Sequence, residues 1–285
     1  MTQTQRILVT GATGTVGRQV VAELLARGHA VRALTRDAAR AAVPAGVEVV
    51  QGDLAEPDSL IPALEGVTGL HLITIGGAHF APLETGPRIL ELARAAGVRR
   101  VTVLHGGGPS PLEDAVRVDD DVDWTVLMPV EFMANCLGWA DGIVASDEVR
   151  EPFVSRLSAM VHEGDIGAVA AVALTEEGHG GQEYVITGPE LLTVGDKVAT
   201  IAAARDREIA LVELSEEQAI ERWRAAGHPE DVIGFLIQVY KNTPEVGRTV
   251  VDTVEKVTGH PARTFAQWAA EHADAFTTTA PAVTA

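Results

Sequence analysis

Residues 10–17 read TGATGTVG, between the apolar run ILV and the helical pattern of RQVVAELLARG. A strand, a turn with glycines three residues apart and a helix form the arrangement that binds the pyrophosphate of a dinucleotide. A merely tight turn would not need three glycines in this register. We therefore predict a dinucleotide site whose first contacts are Gly11, Thr13, Gly14, Thr15, Val16 and Gly17.

Short runs rich in β-branched residues alternate with helical segments through the first 130 residues. The candidate strands are RILVT (6–10), AVRAL (30–34), VEVV (47–50), LHLITI (70–75), VTVLH (101–105) and DWTVLM (123–128). Strands that are apolar throughout and alternate with helices indicate a parallel sheet covered on both faces. The predicted fold class is α/β, a doubly wound parallel sheet of the Rossmann type.

Helical segments dominate after about residue 130, interrupted by the strand candidates EYVITG (183–188) and IALVEL (209–214). We predict a dinucleotide-binding Rossmann core over residues 1–130. A smaller, mostly helical substrate lobe follows over 131–276, interleaved with the remaining strands of the sheet. Residues 277–285, rich in Thr and Ala, read as a disordered tail.

The stretch ALTRD, about 20 residues after the glycine turn, bears on which nicotinamide cofactor fits. Arg36 could pair with a 2′-phosphate, and Arg32 could add charge, which favours NADP(H) over NAD(H). The alternative is a solvated Arg36 with Asp37 bound to the ribose hydroxyl. Because ligands lie at the carboxyl ends of parallel strands, the further predicted contacts are Asp53, Leu54, Thr74, Ile75, Gly76 and His105. Asp53 could equally cap the following helix.

Charge and composition restrict the classes of molecule and the compartments that we expect for this protein. A net charge of −18, from 22 basic and 40 acidic residues, disfavours nucleic acid. No apolar run approaches the ~18 residues of a membrane span, and MTQTQR does not resemble a secretory signal. A lone cysteine, Cys136, fits a reducing cytoplasm. Asp119–Asp121 suggest a solvated acidic turn, so no metal site is predicted.

The chain resembles the NmrA-like group of atypical short-chain dehydrogenases, which includes NAD(P)H:quinone reductases. The resemblance rests on ILVTGATGTVG, VRALTRD, VVQGDL, RILELARAAGVRRVTVL, DWTVLMPVEFMANCL and YVITGPELLT, in that order. It implies an NADP(H)-binding Rossmann fold with a small C-terminal substrate lobe. It also places Glu131, Phe132, Asn135 and Trp139 in the wall of the substrate site, where Phe132 and Trp139 could stack on a flat aromatic molecule; ordinary core packing is the alternative.

One departure from that family concerns the proton donor. Members with the usual active site carry Tyr-x-x-x-Lys on the helix after the fifth strand, and GGGPSPLEDAVRVDDDV (106–122) contains neither residue and is short. Histidines remain as candidates. His105 ends the fifth strand and His79 follows the fourth, and each could donate a proton near neutral pH or simply pack in place. With Glu131, they form the catalytic candidates.

These observations predict a cytoplasmic NADPH-dependent reductase of a quinone or related conjugated aromatic carbonyl compound. A quinone delocalises the negative charge that hydride addition creates, so its reduction does not need a strong proton donor. A small-molecule substrate of this kind is therefore compatible with the absence of Tyr-x-x-x-Lys. Two alternatives stay open: a non-catalytic NADP(H)-sensing regulator, and an enzyme that uses bound NADP(H) for isomerisation or cyclisation. The sequence also leaves a homodimer open.

Overall fold

The computed structural model describes residues 4–76 and 81–277, which fall into two compact units. The first unit comprises the described residues of Met1–Pro129, Glu163–Ile186 and Thr253–His260. The second comprises those of Val130–His162, Thr187–Asp252 and Pro261–Ala285. The chain therefore leaves the first unit after its sixth long strand and returns to it twice.

The strands, numbered in chain order over the described residues, are β1 (Arg6–Val9), β2 (Ala30–Thr35), β3 (Glu48–Gln51), β4 (Gly69–Ile73), β5 (Ile75–Gly76), β6 (Ala81–Pro82), β7 (Arg100–Leu104), β8 (Asp123–Pro129), β9 (Glu148–Pro152), β10 (Gln182–Ile186) and β11 (Ala210–Leu214). Seven of them form one sheet in the first unit, in the order β10-β8-β7-β4-β1-β2-β3. Every neighbouring pair in it is parallel. The predicted doubly wound sheet is confirmed.

The strand order reverses at β1. The chain first runs outward through β2 and β3 and then returns to add β4 on the other side of β1. In open parallel sheets of this kind the crevice at the reversal, outside the carboxyl ends of the strands, is where ligands bind. This topology puts the glycine turn after β1 at the centre of that edge.

Helices cover both faces of the sheet. The first unit contains α1 (Gly17–Ala26), α2 (Ile61–Leu64), α3 (Gly86–Ala95), α4 (Pro111–Arg117), α6 (Glu163–Thr175) and α10 (Thr253–Thr258). α1 packs closely on α6, where a Cβ on Gly167 would lie 2.7 Å from the Gln19 side chain. Helices α2, α3 and α4 pack together with the apolar residues of the sheet in a separate core that includes Leu64, Leu90 and Leu112.

The second unit is mostly helical. Its helices are α5 (Ala140–Ser146), α7 (Val194–Ala204), α8 (Glu216–Ala225), α9 (Glu230–Lys241) and α11 (Phe265–Glu271). β9 and β11 pair in parallel as a two-stranded sheet. α7 begins at a Thr193 capping box and α8 at a Ser215 capping box, so local sequence defines where these helices start. The core includes Phe265 and Trp268, whose rings stack at 5.4 Å between centroids.

Several elements differ from the sequence expectation. PDSLIPALEG forms a 3-10 turn over Pro57–Leu60 and a single α turn, α2, rather than one helix. The strand IALVEL, expected to extend the large sheet, instead pairs with β9 as β11. This pairing needs a partner that the sequence pattern around 148–152 did not reveal. No helix in the described part of the chain is long and apolar enough to cross a membrane.

Candidate functional site

The glycine turn after β1 depends on the absence of side chains at two positions. Gly11 has a φ of +60°, which L side chains rarely adopt. A Cβ on Gly17 would lie 2.1 Å from the Gly11 carbonyl oxygen, so only glycine lets α1 start this close to β1. The Gly14 amide donates to that same oxygen at 2.9 Å. The turn is therefore rigidly specified by its sequence.

The turn leaves backbone donors available. Among the described residues, the N–H groups of Thr15, Val16 and Gly17 donate no hydrogen bond to another backbone group. These groups lie at the amino end of α1, where the helix dipole favours negative charge. Together they have the character of a phosphate-binding turn.

A cavity of about 490 Å³ lies along the carboxyl ends of β1, β2, β3 and β4. Seven of the predicted cofactor contacts line it: Gly11, Thr13, Arg36, Asp53, Leu54, Ile75 and Gly76. Gly14, Thr15, Val16 and Gly17 complete the turn beside it without lining it. Arg40 also lines the cavity and was missed, because nothing in its local sequence distinguishes it from a surface arginine.

Arg36 and Arg40 present two positive charges to this cavity. Both side chains are exposed, and neither forms an ion pair with a carboxylate of the described residues. Asp37, the alternative ribose ligand, uses Oδ1 to accept the Ala39 amide at 3.0 Å and so closes a turn of its own. Arg36, Asp37 and Arg40 all line the end of the cavity after β2, so two positive charges and one negative charge face it.

The expectation that Arg32 adds charge there is wrong. Arg32 is 6% exposed, and its guanidinium forms an ion pair with Glu48 at 3.0 Å. It also donates to the carbonyl oxygens of Ala63, at 2.6 Å, and Glu65, at 3.0 Å. Those oxygens end α2, so Arg32 neutralises a helix terminus and is not available to a ligand.

Asp53 lines the cavity, whereas the predicted contacts Thr74 and His105 are not among its lining residues. Asp53 accepts the Ala55 amide at 2.9 Å and its own amide donates to Ser59 Oγ, so it shapes a turn rather than capping a helix. The Thr74 hydroxyl donates to the Leu104 carbonyl oxygen at 3.1 Å, which joins the ends of β4 and β7. Gly106 is required there, because a Cβ would lie 2.6 Å from Thr74 Oγ1.

His105, directly after β7, has a partner that the sequence did not reveal. Its Nδ1 lies 2.7 Å from Oε1 of Glu113 in α4, whose side chain is 3% exposed. The His105 side chain is 25% exposed. Ser110 caps α4, and the seven residues between His105 and Glu113 gave no local sign that the two side chains meet. His79 lies outside the described residues.

Glu131, in the second unit, belongs to a dense charged cluster. Arg156 donates to both of its carboxylate oxygens, at 3.1 and 3.2 Å. Lys197, fully buried, donates to it at 3.1 Å, and Ser158 at 2.6 Å. Burial alone would raise the pKa of Glu131, but the charges of Lys197 and Arg156 outweigh it and lower the pKa to about 2. Glu131 thus carries no proton at neutral pH.

A second cavity, of about 520 Å³, lies within the second unit. Three of the predicted substrate contacts, Glu131, Asn135 and Trp139, line it, whereas Phe132 is not among its lining residues. The other aromatic walls, Trp223 and Tyr240, come from α8 and α9 and were not predicted. Its walls are therefore aromatic and carry ion-paired arginines: Arg156 lies 4.1 Å from the centre of the Tyr240 ring, and Arg222 pairs with Glu151 at 3.2 Å.

The acidic turn at 119–121 has a structural role. Arg94 contacts Asp119 at 3.0 Å and Asp121 at 3.3 Å, which joins α3 to this turn. Within residues 4–76 and 81–277, no three His, Cys, Asp or Glu side chains come close enough together to hold a metal ion.

Comparison with known proteins adds relatives to this geometry. The model of the NmrA-like family matches residues 3–103. A (4-alkanoyl-5-oxo-2,5-dihydrofuran-3-yl)methyl phosphate reductase of Streptomyces griseus is 37% identical over 285 residues, covering 95% of this chain and 99% of its own. An NAD(P)H azoreductase of Xenophilus azovorans is 35% identical over 287 residues, with the same coverage.

A solved structure shares the fold. The NADPH-dependent quinone oxidoreductase of Escherichia coli, complexed with NADPH, has a TM-score of 0.74 at 24% sequence identity and covers 93% of this chain and 99% of its own. The expected family resemblance is confirmed by the relatives that extend over nearly the whole chain. The chain belongs to the NmrA-like family and, within it, to the oxidoreductases.

Proposed function

We propose that this protein is an NADPH-dependent reductase of a quinone or a related conjugated aromatic carbonyl compound. The observation that carries the proposal is the first cavity, which has backbone donors of a helix amino end beside it and, in its wall, two arginines without a carboxylate partner in the described part of the chain. Relatives that cover nearly the whole chain are NAD(P)H azoreductase and furanone phosphate reductase by name, which supports reductive chemistry.

The residues present fit the dinucleotide. The amides of Thr15, Val16 and Gly17 would bind the pyrophosphate, since they donate no hydrogen bond to another backbone group of the described chain. Arg36 and Arg40 would pair with the 2′-phosphate, a contact that NADH lacks. The rims formed by Asp53, Leu54, Ile75 and Gly76 would border the two ends of the cofactor. When bound, NADPH supplies a hydride.

The chain supplies a hydrogen-bond donor in place of the missing tyrosine and lysine. His105 follows β7, two strands from the glycine turn along the same edge of the sheet. With Nδ1 directed at Glu113, its other nitrogen is the one that can reach the oxygen of an acceptor. A quinone asks little of such a donor, because its reduced oxygen shares the negative charge with the ring.

The second cavity, within the second unit, would suit a flat conjugated ligand. Trp139, Trp223 and Tyr240 line it, and a flat conjugated ring would pack against these aromatic side chains. Glu131 would act there as a fixed charge that orients Arg156 rather than as an acid. Phe132 would not contact a ligand there, because it is not among the residues that line this cavity.

Cofactor binding and NADPH oxidation together test this proposal. Purified protein is titrated calorimetrically with NADPH and NADH, and NADPH oxidation is then followed at saturating cofactor with a panel of quinones, enones and azo compounds. We expect tighter binding of NADPH and oxidation with at least one quinone. Binding without oxidation across the panel would favour a redox-sensing regulator, and product formation without net oxidation an isomerase or cyclase.

A further inference from the structure

The contact between His105 and Glu113 differs from a surface ion pair because its carboxylate is nearly buried. The 2.7 Å distance joins a nearly buried carboxylate to a histidine whose side chain is a quarter exposed. Glu113 is placed by α4, which Ser110 caps by accepting the Glu113 amide at 3.3 Å. A short helix that begins with proline and a serine cap thus presents one carboxylate oxygen to the end of β7.

The second oxygen of that carboxylate is also held. Arg117, one turn later in α4, donates to Glu113 Oε2 at 2.9 Å. Arg117 in turn donates through Nε to Glu183 of β10 at 2.7 Å. Because both oxygens have partners on different elements, the carboxylate cannot rotate away from His105 without breaking one of these contacts.

A fixed carboxylate at Nδ1 determines what the imidazole can do. It selects the neutral form with the proton on Nδ1 and fixes the plane of the ring. Nε2 is then the nitrogen left for another partner. A contact that served only to join α4 to β7 would not need the carboxylate buried and doubly held beside a histidine that solvent still reaches.

We propose that Glu113 is a positioning residue that holds His105 as the proton donor to the acceptor carbonyl. This inference rests on the proposed reductase function. Reduction of a quinone to a hydroquinone takes up one hydride and one proton. His105, as the imidazolium, gives its Nε2 proton to the oxygen that gains charge, and the imidazole regains a proton from solvent.

The first experiment needs neither cofactor nor acceptor. Protein labelled with ¹⁵N-histidine contains nine histidines, and His105→Gln assigns the relevant ring signals. We expect the neutral His105 ring to carry its proton on Nδ1 in the unsubstituted protein and to lose this preference in Glu113→Ala. A ring that carries its proton on Nε2 in the unsubstituted protein would overturn the positioning role.

The second experiment compares acceptors that differ in their need for a proton. Menadione takes up a hydride and a proton, whereas a cationic triphenylmethane dye takes up only a hydride, which neutralises its central carbon. We expect Glu113→Gln and His105→Gln to lower kcat for menadione by about 10- to 100-fold. The Kd for NADPH, the KM for menadione and the rate with the dye should change by less than about 2-fold.

Asp120→Asn is the matched control, because it removes the same charge from an exposed position shortly after the same helix. It should leave both rates unchanged. Equal losses with both acceptors, or a rise in KM without a fall in kcat, would overturn the proposal. If the dye is not turned over, the kinetics with menadione still test the proposal, because it predicts a fall in kcat at an unchanged KM. Turnover of no acceptor, with the Nδ1 proton intact, would overturn the proposed function and the donor role but not the Glu113–His105 pairing.

Discussion

Arg36, Arg40 and Arg32 show how neighbours decide what a charged side chain can do. Arg32 lies on β2 only four residues before Arg36, yet its charge is used by Glu48 and by the carbonyl oxygens that end α2. Arg36 and Arg40 have no such partners among the described residues. Their charges are the ones left for a ligand.

Removing either free charge should weaken NADPH selectively. We expect Arg36→Gln or Arg40→Gln to raise the Kd for NADPH by about 10- to 100-fold, since a hydrogen bond to a charged group contributes about 1.5–3 kcal/mol. The Kd for NADH should change little, and calorimetry measures both. Arg99→Gln, which removes an exposed arginine before β7 at the opposite edge of the sheet, is the control. Equal weakening of both cofactors would contradict the assignment.

Glu131 contributes to the stability of the folded protein through its charged cluster, and we do not expect it to act as a catalytic acid. We expect Glu131→Gln to lower the free energy of unfolding by about 3–5 kcal/mol, because Lys197 and Arg156 would be left buried without a countercharge. Urea denaturation followed by tryptophan fluorescence measures this loss. Glu131→Leu combined with Lys197→Met, which removes both charges, should recover part of the stability. A Glu131→Gln protein as stable as the parent would refute this reading.

The sign of its pH dependence follows from the pKa. The folded value of about 2 lies below the ordinary 4.5, so the stabilisation is fully present above about pH 4.5. It should be lost as the pH falls from about 4.5 towards 2. Glu131→Gln should lose less stability than the parent protein over this interval in acid titrations monitored by circular dichroism.

At the scale of elements, the central strand β4 contains a titratable group without access to water. His71 is fully buried, and its Nδ1 lies 2.8 Å from Thr102 Oγ1 on β7. Burial lowers the pKa of His71 to about 4, so the ring is neutral in the folded protein at neutral pH. An unfolded chain would take up a proton there at about pH 6.5.

This strand should therefore make the first unit sensitive to mild acid. Since the folded pKa lies below the unfolded one, the His71 contribution is lost as the pH falls from about 6.5 to 4, by about 3 kcal/mol in total. We expect His71→Gln to flatten the dependence of unfolding free energy on pH in this interval, measured by urea titration at several pH values. His260→Gln, at an exposed position of the same unit, should not. Parallel curves for His71→Gln and the parent would contradict this account.

The elements also show which parts of the fold were predictable. The glycine turn, the strands β1 to β4 and the capping box of α8 depend on residues close together in the chain, so local patterns revealed them. The contact of Glu113 with His105 and the pairing of β9 with β11 depend on tertiary approach, which no local pattern encodes. Arg32 was misjudged for the same reason, because its partners come from β3 and α2.

At the scale of the whole molecule, the chain does not divide into consecutive domains. Residues 1–129 lack α6, which packs on α1, and β10, which pairs with β8. Without α6, α1 would lose its packing contact at Gly167, where a Cβ would lie 2.7 Å from the Gln19 side chain. The first unit is therefore complete only when later parts of the chain have been added.

A fragment of residues 1–129 should for that reason not fold cooperatively. We expect no sigmoidal urea transition by circular dichroism and no calorimetric NADPH binding. A matched fragment, in which a short glycine-serine linker joins residue 129 to 163–186, restores α6 and β10 and should recover a transition. A cooperative transition of the shorter fragment would show that the added elements are dispensable.

Cys136, the lone cysteine of the chain, lies in the core of the second unit at 2% exposure, and burial raises the pKa of its thiol. Only the thiolate reacts readily with electrophiles. Quinones are electrophiles that add to exposed thiolates and so poison many proteins that meet them. Cys136 also lines the second cavity, so the retained thiol proton, and not distance from a bound ligand, would protect it from a quinone held there.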